Sequence, residues 1–549
     1  MADFRADSHA AQFTIGRVHE AIAATRPDAE CLVFRDRRHT WSQTTDRTRR
    51  LANHLASRGL GCRLERSTIQ QHESGQDHLA IYLHNGNEYL EAMLGAFKAR
   101  VAPFNVNYRY VAEELSYLLR DSSAAAIVFH SSFAPTRAAI LPELPDLRVL
   151  LQVDDGSAID LLPGAEWYED ALAAASPDPL PDGSPDDLYI LYTGGTTGMP
   201  KGVMWRQADA LVECFGGSKT AVDLDGFLEN LVGRRALIAP PFMHGAGHWV
   251  SFSTWNAGGT VFVPSVPERL DAADVWSTVE RERIDFLLIV GDAFARPLLD
   301  ELARTPRDLS SLGVILSGGA PLSVHMKEEF MAHLPGLLIV DGLGSSEAGG
   351  QMSHVSTGGV ASTGRFPRTE GNHVLSSDLS RGLVPGETDA DGEPGWLAKT
   401  GRLALGYLGD PAKTARTYPV VDGVRYVTPG DRAVLTDDGF IELRGRDSVT
   451  INSGGEKIFA EEVEAAIKPH PAVFDCVVAG RPSDRWGNEV VAIVRLRDGH
   501  TASEDELRTE AEKHVARYKL PKAFVFVDHI VRSPSGKADY RWAKQVAAG

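Results

Sequence analysis

Short apolar runs separated by longer mixed stretches set the rhythm of this chain. HLAIYL (78–83), AAIVFH (125–130), RALIAPP (235–241), FLLIV (286–290), VILSGG (314–319) and LLIVDGLG (337–344) predict buried strands. Between them the stretches 87–100, 112–120 and 272–283 are helix-like. This alternation predicts an α/β fold: a large N-terminal domain of stacked, mostly parallel sheets whose ligands sit at the carboxyl ends of the strands. The stretch 355–400 is richer in Gly, Pro, Asp and Thr and predicts a small β subdomain with many turns. Glycines and charges cluster over 430–455, and EEVEAAIKPHPAVFDCVVAG then begins a fresh helix-then-strand pattern. We therefore expect domains at 1–445 and 446–549, the second a small α+β unit of about a hundred residues, a workable domain size.

At 549 residues the chain can hold several cores. A net charge of −18 speaks against the nucleic-acid backbone as a partner, because phosphate binding along a duplex needs concentrated positive charge. It leaves room for a small anionic substrate held by a local cluster of donors. The four cysteines (Cys31, Cys62, Cys214, Cys476) show neither CxxC nor Cys/His metal spacing, which fits free thiols in a reducing compartment. The first sixteen residues carry early acids and no apolar core of a secretory signal. No run approaches the roughly 18 apolar residues of a membrane helix. The expected location is cytoplasmic, and a homodimer is neither required nor excluded.

The sharpest chemical feature is Thr193-Gly194-Gly195-Thr196-Thr197-Gly198-Met199-Pro200-Lys201, which follows the strand-like 188–192. Its glycines let backbone N–H groups converge on phosphate oxygens, the threonines add hydroxyl donors and Lys201 adds positive charge. Pro200 before Lys201 and Gly202 after it exclude a Walker A loop. An ordinary Gly/Thr turn is the bland alternative. Asp341-Gly342-Leu343-Gly344-Ser345-Ser346-Glu347 mimics a dinucleotide fingerprint, but Glu347 stands where the last glycine should be, which disfavours a nicotinamide site. Ser317-Gly318-Gly319-Ala320-Pro321 ends another strand. A plain strand-to-helix turn explains it equally well.

Together these motifs resemble the adenylate-forming superfamily: acyl- and aryl-CoA synthetases, peptide-synthetase adenylation domains and firefly-type luciferases. The wording TGGTTGMPKGVMW is similar to actinobacterial fatty-acyl or steroid side-chain acyl-CoA ligases. The resemblance implies a phosphate-binding loop over Thr193–Gly198 and Lys201, with Gly194 where the family usually has Ser. It implies a counterpart of the YGxTE element in which Leu343 replaces Tyr and Ser346 replaces Thr. There Ser346 meets the α-phosphate and Glu347 holds Mg²⁺, a hard cation suited to carboxylate and phosphate oxygen. Gly318, Gly319 and Ala320, with Asp341, Gly342, Leu343 and Gly344, would form the adenine side. Asp431, in a TGD-like Thr428-Pro429-Gly430-Asp431, would accept the ribose hydroxyls. Arg446, fifteen residues on, would reach ribose or phosphate. Gly454 and Gly455 would border the pantetheine tunnel. Asp447 or Ser448 would be the hinge of a mobile C-terminal domain carrying the catalytic Lys537.

The implied reaction joins a carboxylic acid to ATP as acyl-adenylate, with Lys201, Lys537 and Mg²⁺ offsetting the meeting of two anions, and then passes the acyl group to coenzyme A. Transfer to a carrier protein, an aryl-acid CoA ligase, a luciferase-like oxygenase and a non-catalytic nucleotide-binding paralogue remain as alternatives. No carrier domain follows the Lys537 motif, which favours free coenzyme A. Family members build one acyl-pocket wall from the segment that contains His244, Gly245, Ala246 and Gly247 here. No Asp or Glu occurs between Ala239 and Gly259 to pair an amino-acid ammonium. The small side chains leave room for bulk, and Phe242, Met243 and Trp249 offer apolar walls. The expected acid is a medium-to-long fatty acid or a steroid side-chain acid.

Overall fold

Two eight-stranded sheets, each mostly parallel, form the body of the molecule. The computed structural model describes residues 12–549 apart from 141–142, 194–198, 230, 359, 390–392, 454–455, 484–485 and 535. In the first sheet the strands Phe286–Ile289, Val314–Gly318 and Leu338–Ser345 run parallel and in order, and Gly349–Ser356 closes the edge antiparallel. In the second, His78–Tyr82, Ala102–Asn105, Ala124–His130 and Leu188–Thr193 run parallel, with Lys201–Arg206 antiparallel beside the last. Helix Asn87–Lys98 touches both sheets and buries nearly its whole surface, so it lies between them. Its two acids are accommodated by partners: Glu91 takes Arg47 at 2.7 Å and the Tyr168 hydroxyl at 3.0 Å, and Glu88 pairs with Arg37.

The predicted strand at 235–241 is shorter than its apolar run. Arg235–Ile238 is in the ladder, and Pro240-Pro241, lacking N–H donors, leave it. The small β subdomain is larger than its composition suggested: strands Arg365–Pro367, Asn372–Leu375, Gly395–Lys399, Asp431–Leu435 and Phe440–Arg446 make one antiparallel sheet reaching well past residue 400. The chain leaves that sheet at Arg446, turns through Asp447–Val449 and enters a separate one. There Thr450–Ser453, Glu456–Phe459, Val473–Ser483 and Gly487–Leu496 pair antiparallel, and Ala523–Phe526 adds in parallel. Helices Ala460–Ile467, Glu504–Glu512 and Tyr540–Ala548 complete this α+β unit, which has its own core around Val463, Ile467, Val478 and Ala492. Among the described residues no helix is long and apolar enough to cross a membrane.

Candidate active site

The carboxyl ends of both large sheets face one cavity of about 1010 Å³, as the topology requires. Thr193 reaches it from the second sheet, while Val290, Gly318, Gly319 and 342–346 reach it from the first. Two asparagines, which the sequence did not flag, bind the sheets together at this end. Asn85 donates to Pro240 O at 2.9 Å and accepts from Phe242 N at 2.6 Å. Asn105 donates to Met243 O at 2.7 Å and to Tyr192 O at 2.9 Å. The segment 240–243, which leaves the first sheet, is thereby fixed against the second, and the amides of both asparagines find partners.

From the other side the hairpin carrying Lys537 closes over the opening, and Val531, Pro534 and Lys537 line it with Arg446. Gly319 has a φ of +92°, a conformation that favours glycine, and it faces the lysine: a Cβ there would be in ordinary contact, 3.6 Å, with Lys537 Cε. Lys537 stays accessible to the cavity. Desolvation and then the Arg446 guanidinium hold its ammonium below the ordinary lysine value, while Glu347 and Asp431 oppose them. His244 lines the same wall; burial first and Lys537 second push it down to about 3, so it is neutral at pH 7.

Asp431 and Arg446 are directly opposed in the antiparallel pair, and their side chains meet at 3.2 Å. The fifteen-residue spacing is thus two strands and a turn. The Arg446 backbone N–H also donates to Glu461 at 3.1 Å. Glu347 accepts the Tyr407 hydroxyl at 2.8 Å, and its carbonyl accepts the Tyr418 hydroxyl at 3.2 Å. Lys413 lies 4.0 Å above the Tyr407 ring; burial lowers its pKa and Glu347 raises it. Tyr407, Lys413 and Tyr418 are contacts of Glu347 that the sequence reading missed. Their only signal is their common position on one short helix and the strand before it.

Other expectations are redirected. Lys201 does not line the cavity: its ammonium pairs with Asp121 at 2.6 Å, beside the Tyr117 ring, and the Tyr192 hydroxyl takes the second Asp121 oxygen at 2.9 Å. Asp341 and Ala320 stand behind the wall made by Gly318, Gly319, Gly342, Leu343 and Gly344. The Asp341 carboxylate is held by the fully buried Lys327, which also donates to Ser362 O and to Thr363 Oγ1 at 2.9 Å. Ala320 packs against Gly291. The segment after His244 is the start of helix Gly245–Asn256. Gly245 and Ala246 line the cavity, but Gly247 faces inward, where a Cβ would come within 2.6 Å of Pro241 O. Phe242 is core, packed on Tyr89 at 5.5 Å, whereas Met243 and Trp249 are wall. Ser346 lines the cavity. Asp447 pairs with Arg432 at 3.0 Å, and Ser448 follows in the same turn. Residues 194–198, 454 and 455 lie outside the described residues.

An apolar limb of the cavity runs between Leu191, Met243, Trp249, Val250, Leu288 and Leu316. Trp249 donates to Tyr189 OH at 2.8 Å, and that hydroxyl meets His248 Nε2, so the indole is anchored from beneath. The lack of acids over 239–259 does not keep carboxylates off this wall, because Glu213 reaches it from helix Gln207–Glu213. It offers no free charge: Lys399 binds it at 2.7 Å and caps the carbonyls of Ala348 and Gly350 at 2.8 and 2.6 Å.

A family profile described as AMP-binding enzyme matches residues 19–407, and one described as AMP-binding enzyme C-terminal domain matches 462–537. The chain is 53% identical over 544 residues to the medium-chain acyl-CoA ligase Mig of Mycobacterium avium, covering 97% of this chain and 98% of that one. It is 39% identical to a 3-oxocholest-4-en-26-oate–CoA ligase of Rhodococcus rhodochrous, covering 94% and 93%. The fold is shared with the anthranilate CoA ligase AuaEII in complex with anthranoyl-AMP, at a TM-score of 0.81 and 21% identity, covering 98% and 97%. On matches that span most of its length, the chain belongs to the AMP-binding enzyme family.

Proposed function

We propose that this protein is an ATP-dependent acyl-CoA ligase for bulky hydrophobic carboxylic acids. The observation that carries the reading is the convergence of Lys537, Arg446, Asp431 and Glu347 around a cavity that continues into an apolar limb. The acid's carboxylate oxygen attacks the ATP α-phosphate, and pyrophosphate leaves with the electrons of the broken P–O bond. The coenzyme A thiolate then attacks the acyl carbon, and AMP leaves. Lys537 supplies positive charge where the carboxylate and α-phosphate meet, while Asp431 accepts from the ribose and Arg446 orients it. The backbone of 342–344 and Gly318–Gly319 flanks the adenine. Asp447 and Ser448 serve as the pivot.

Mg²⁺ fits this site as a partner of phosphate. Among the described residues no three His, Cys, Asp or Glu side chains gather to cage a metal. Glu347 spends one oxygen on Tyr407, and the other would be the one to hold Mg²⁺, a hard cation suited to carboxylate oxygen. When bound, the ion neutralises charge on the departing pyrophosphate.

The limb between Trp249 and Leu316 supports medium-to-long fatty acids or a steroid side-chain acid, in keeping with the names of the relatives. The test is acid-dependent pyrophosphate exchange, then coenzyme A consumption, across acetate, benzoate, octanoate, palmitate and a steroid side-chain acid. Each buried CH₂ should contribute roughly 0.8 kcal/mol to kcat/KM. Preference for acetate or benzoate overturns the substrate class. Absence of exchange with every acid overturns the reaction.

A further inference from the structure

Lys537 reaches the cavity only while its domain is docked, so the docking surface controls the first half-reaction. That surface is helix Gly291–Arg304. Gly536, the neighbour of Lys537, rests on its first turn: a Cβ there would lie 3.2 Å from Val290 O and 3.2 Å from Ala293 Cβ. Two carboxylates of the helix meet two cations of the C-terminal unit. Lys468 Nζ is 3.5 Å from Asp292 Oδ2, and Arg497 Nη1 is 3.5 Å from Asp300 Oδ1. Asp292 and Asp300 are eight residues apart, about two turns, and so share one face. The cations come from different elements: Lys468 ends helix Ala460–Ile467 and Arg497 follows strand Gly487–Leu496.

We propose that these two ion pairs form an electrostatic latch that selects the arrangement in which Lys537 occupies the cavity, making Lys468 and Arg497 positioning residues for adenylation. The inference rests on the reaction proposed above. Three of the four charges have a second partner on their own side of the interface, and the fourth, Arg497, keeps 26% of its side chain exposed to water. Lys468 faces Asp475 and Glu464, with Arg532 opposing them. Asp292 accepts Ser323 N at 2.8 Å, and Asp300 lies 3.7 Å from Arg296. Separation therefore strands no buried charge, the event that makes breaking an ion pair costly. With side chains 16–35% exposed, such pairs bias a docking equilibrium by up to roughly fivefold each, enough to favour one arrangement without trapping it.

The test is the double variant Lys468→Met/Arg497→Met, with Lys468→Arg as the conservative control. Acid-dependent pyrophosphate exchange should fall by up to roughly 25-fold in the double variant, the product of two such pairs. Thioester formation from supplied acyl-adenylate should stay within about twofold, and Lys468→Arg should retain most of the exchange, because the charge persists. Equal loss in both half-reactions, or unchanged exchange, overturns the latch. Hydrogen exchange over 290–304, read without substrate, separates this proposal from the functional one. Protection there should drop in the double variant, and unchanged protection refutes the latch whatever the enzyme's activity. Wild-type protein that shows no acid-dependent exchange refutes the reaction, and hydrogen exchange still decides the latch.

Discussion

Replacing Lys537 by Ala is the most direct test of the charge arrangement. Lys537 and Arg446 set two positive charges against Glu347 and Asp431, so the region is near neutral before a triphosphate enters. Without Lys537 it carries one net negative charge where two anions must meet. A unit pair at about 5 Å and an effective dielectric of about 20 interacts by roughly 3 kcal/mol. That is on the order of 10²-fold in rate, at the lower edge of the 10²–10³ typical of deleting one charge-stabilising donor. Acid-dependent pyrophosphate exchange should fall by that factor, while transfer of a supplied acyl-adenylate to coenzyme A should persist. The pH profile adds a second readout. With its pKa held below 10.5, the wild-type ammonium loses its proton earlier than a free lysine, giving exchange an alkaline limb that the variant lacks. Equal loss in both half-reactions, or an alkaline limb retained in Lys537→Ala, would refute the reasoning.

Four further outcomes follow from particular contacts. Glu347→Gln keeps the Tyr407 hydrogen bond but removes the charge, so the Mg²⁺ concentration for half-maximal exchange should rise severalfold with little change in Tm; an unmoved Mg²⁺ dependence removes Glu347 from the metal. Ser448→Pro, in the turn between the two sheets, should spare exchange and slow thioester formation at least about tenfold if rotation occurs there, as half-reaction kinetics would record. Burial pushes the Glu464 carboxyl up from 4.5 to about 7, so its contribution to stability is complete below pH 4.5 and lost as pH rises through 7. Glu464→Gln should therefore exceed wild-type stability at pH 8 by up to roughly 3 kcal/mol and match it near pH 4.5, measured by denaturant unfolding. Gly247→Ala drives a methyl against Pro241 O and should cost about 1–3 kcal/mol without altering the order of preferred acids in the exchange assay.

The fold was legible where strands are covered on both faces. Phe286–Ile289 and Ala124–His130 lie inside parallel sheets, and such strands read as unbroken apolar runs. Helix Gly245–Asn256 was not legible, because a helix buried between two sheets has no polar stripe to reveal its period, and its Gly-Ala-Gly start imitates a loop. The antiparallel sheet reaching Arg446 was cut short for the opposite reason. Phe440–Arg446 is half-exposed and rich in charge, so its sequence looks like a linker although it pairs with Asp431–Leu435 across a single bulge.

The site divides along a similar line: a motif fixes where a backbone stands, and the nearest complementary charge decides where a side chain goes. Asp431 and Arg446 were each named from the motif resemblance, and the register of the strand pair is what brings them together. The partner of Asp341 was not legible, because Lys327 arrives from helix Val324–His333, and nothing in the strand's own motif announces it. Lys201 differs again. Its ammonium is 27% exposed and shares one carboxylate, Asp121, so moving it to a phosphate trades one anion for another at little desolvation cost. Lys327 has no such freedom: fully buried, with three acceptors around it, it would have to abandon Asp341 as an unpaired buried charge. The contrast in burial therefore separates a lysine that can still answer a triphosphate from one committed to the architecture behind the cavity wall of 342–344, a distinction that residue type and motif position do not carry.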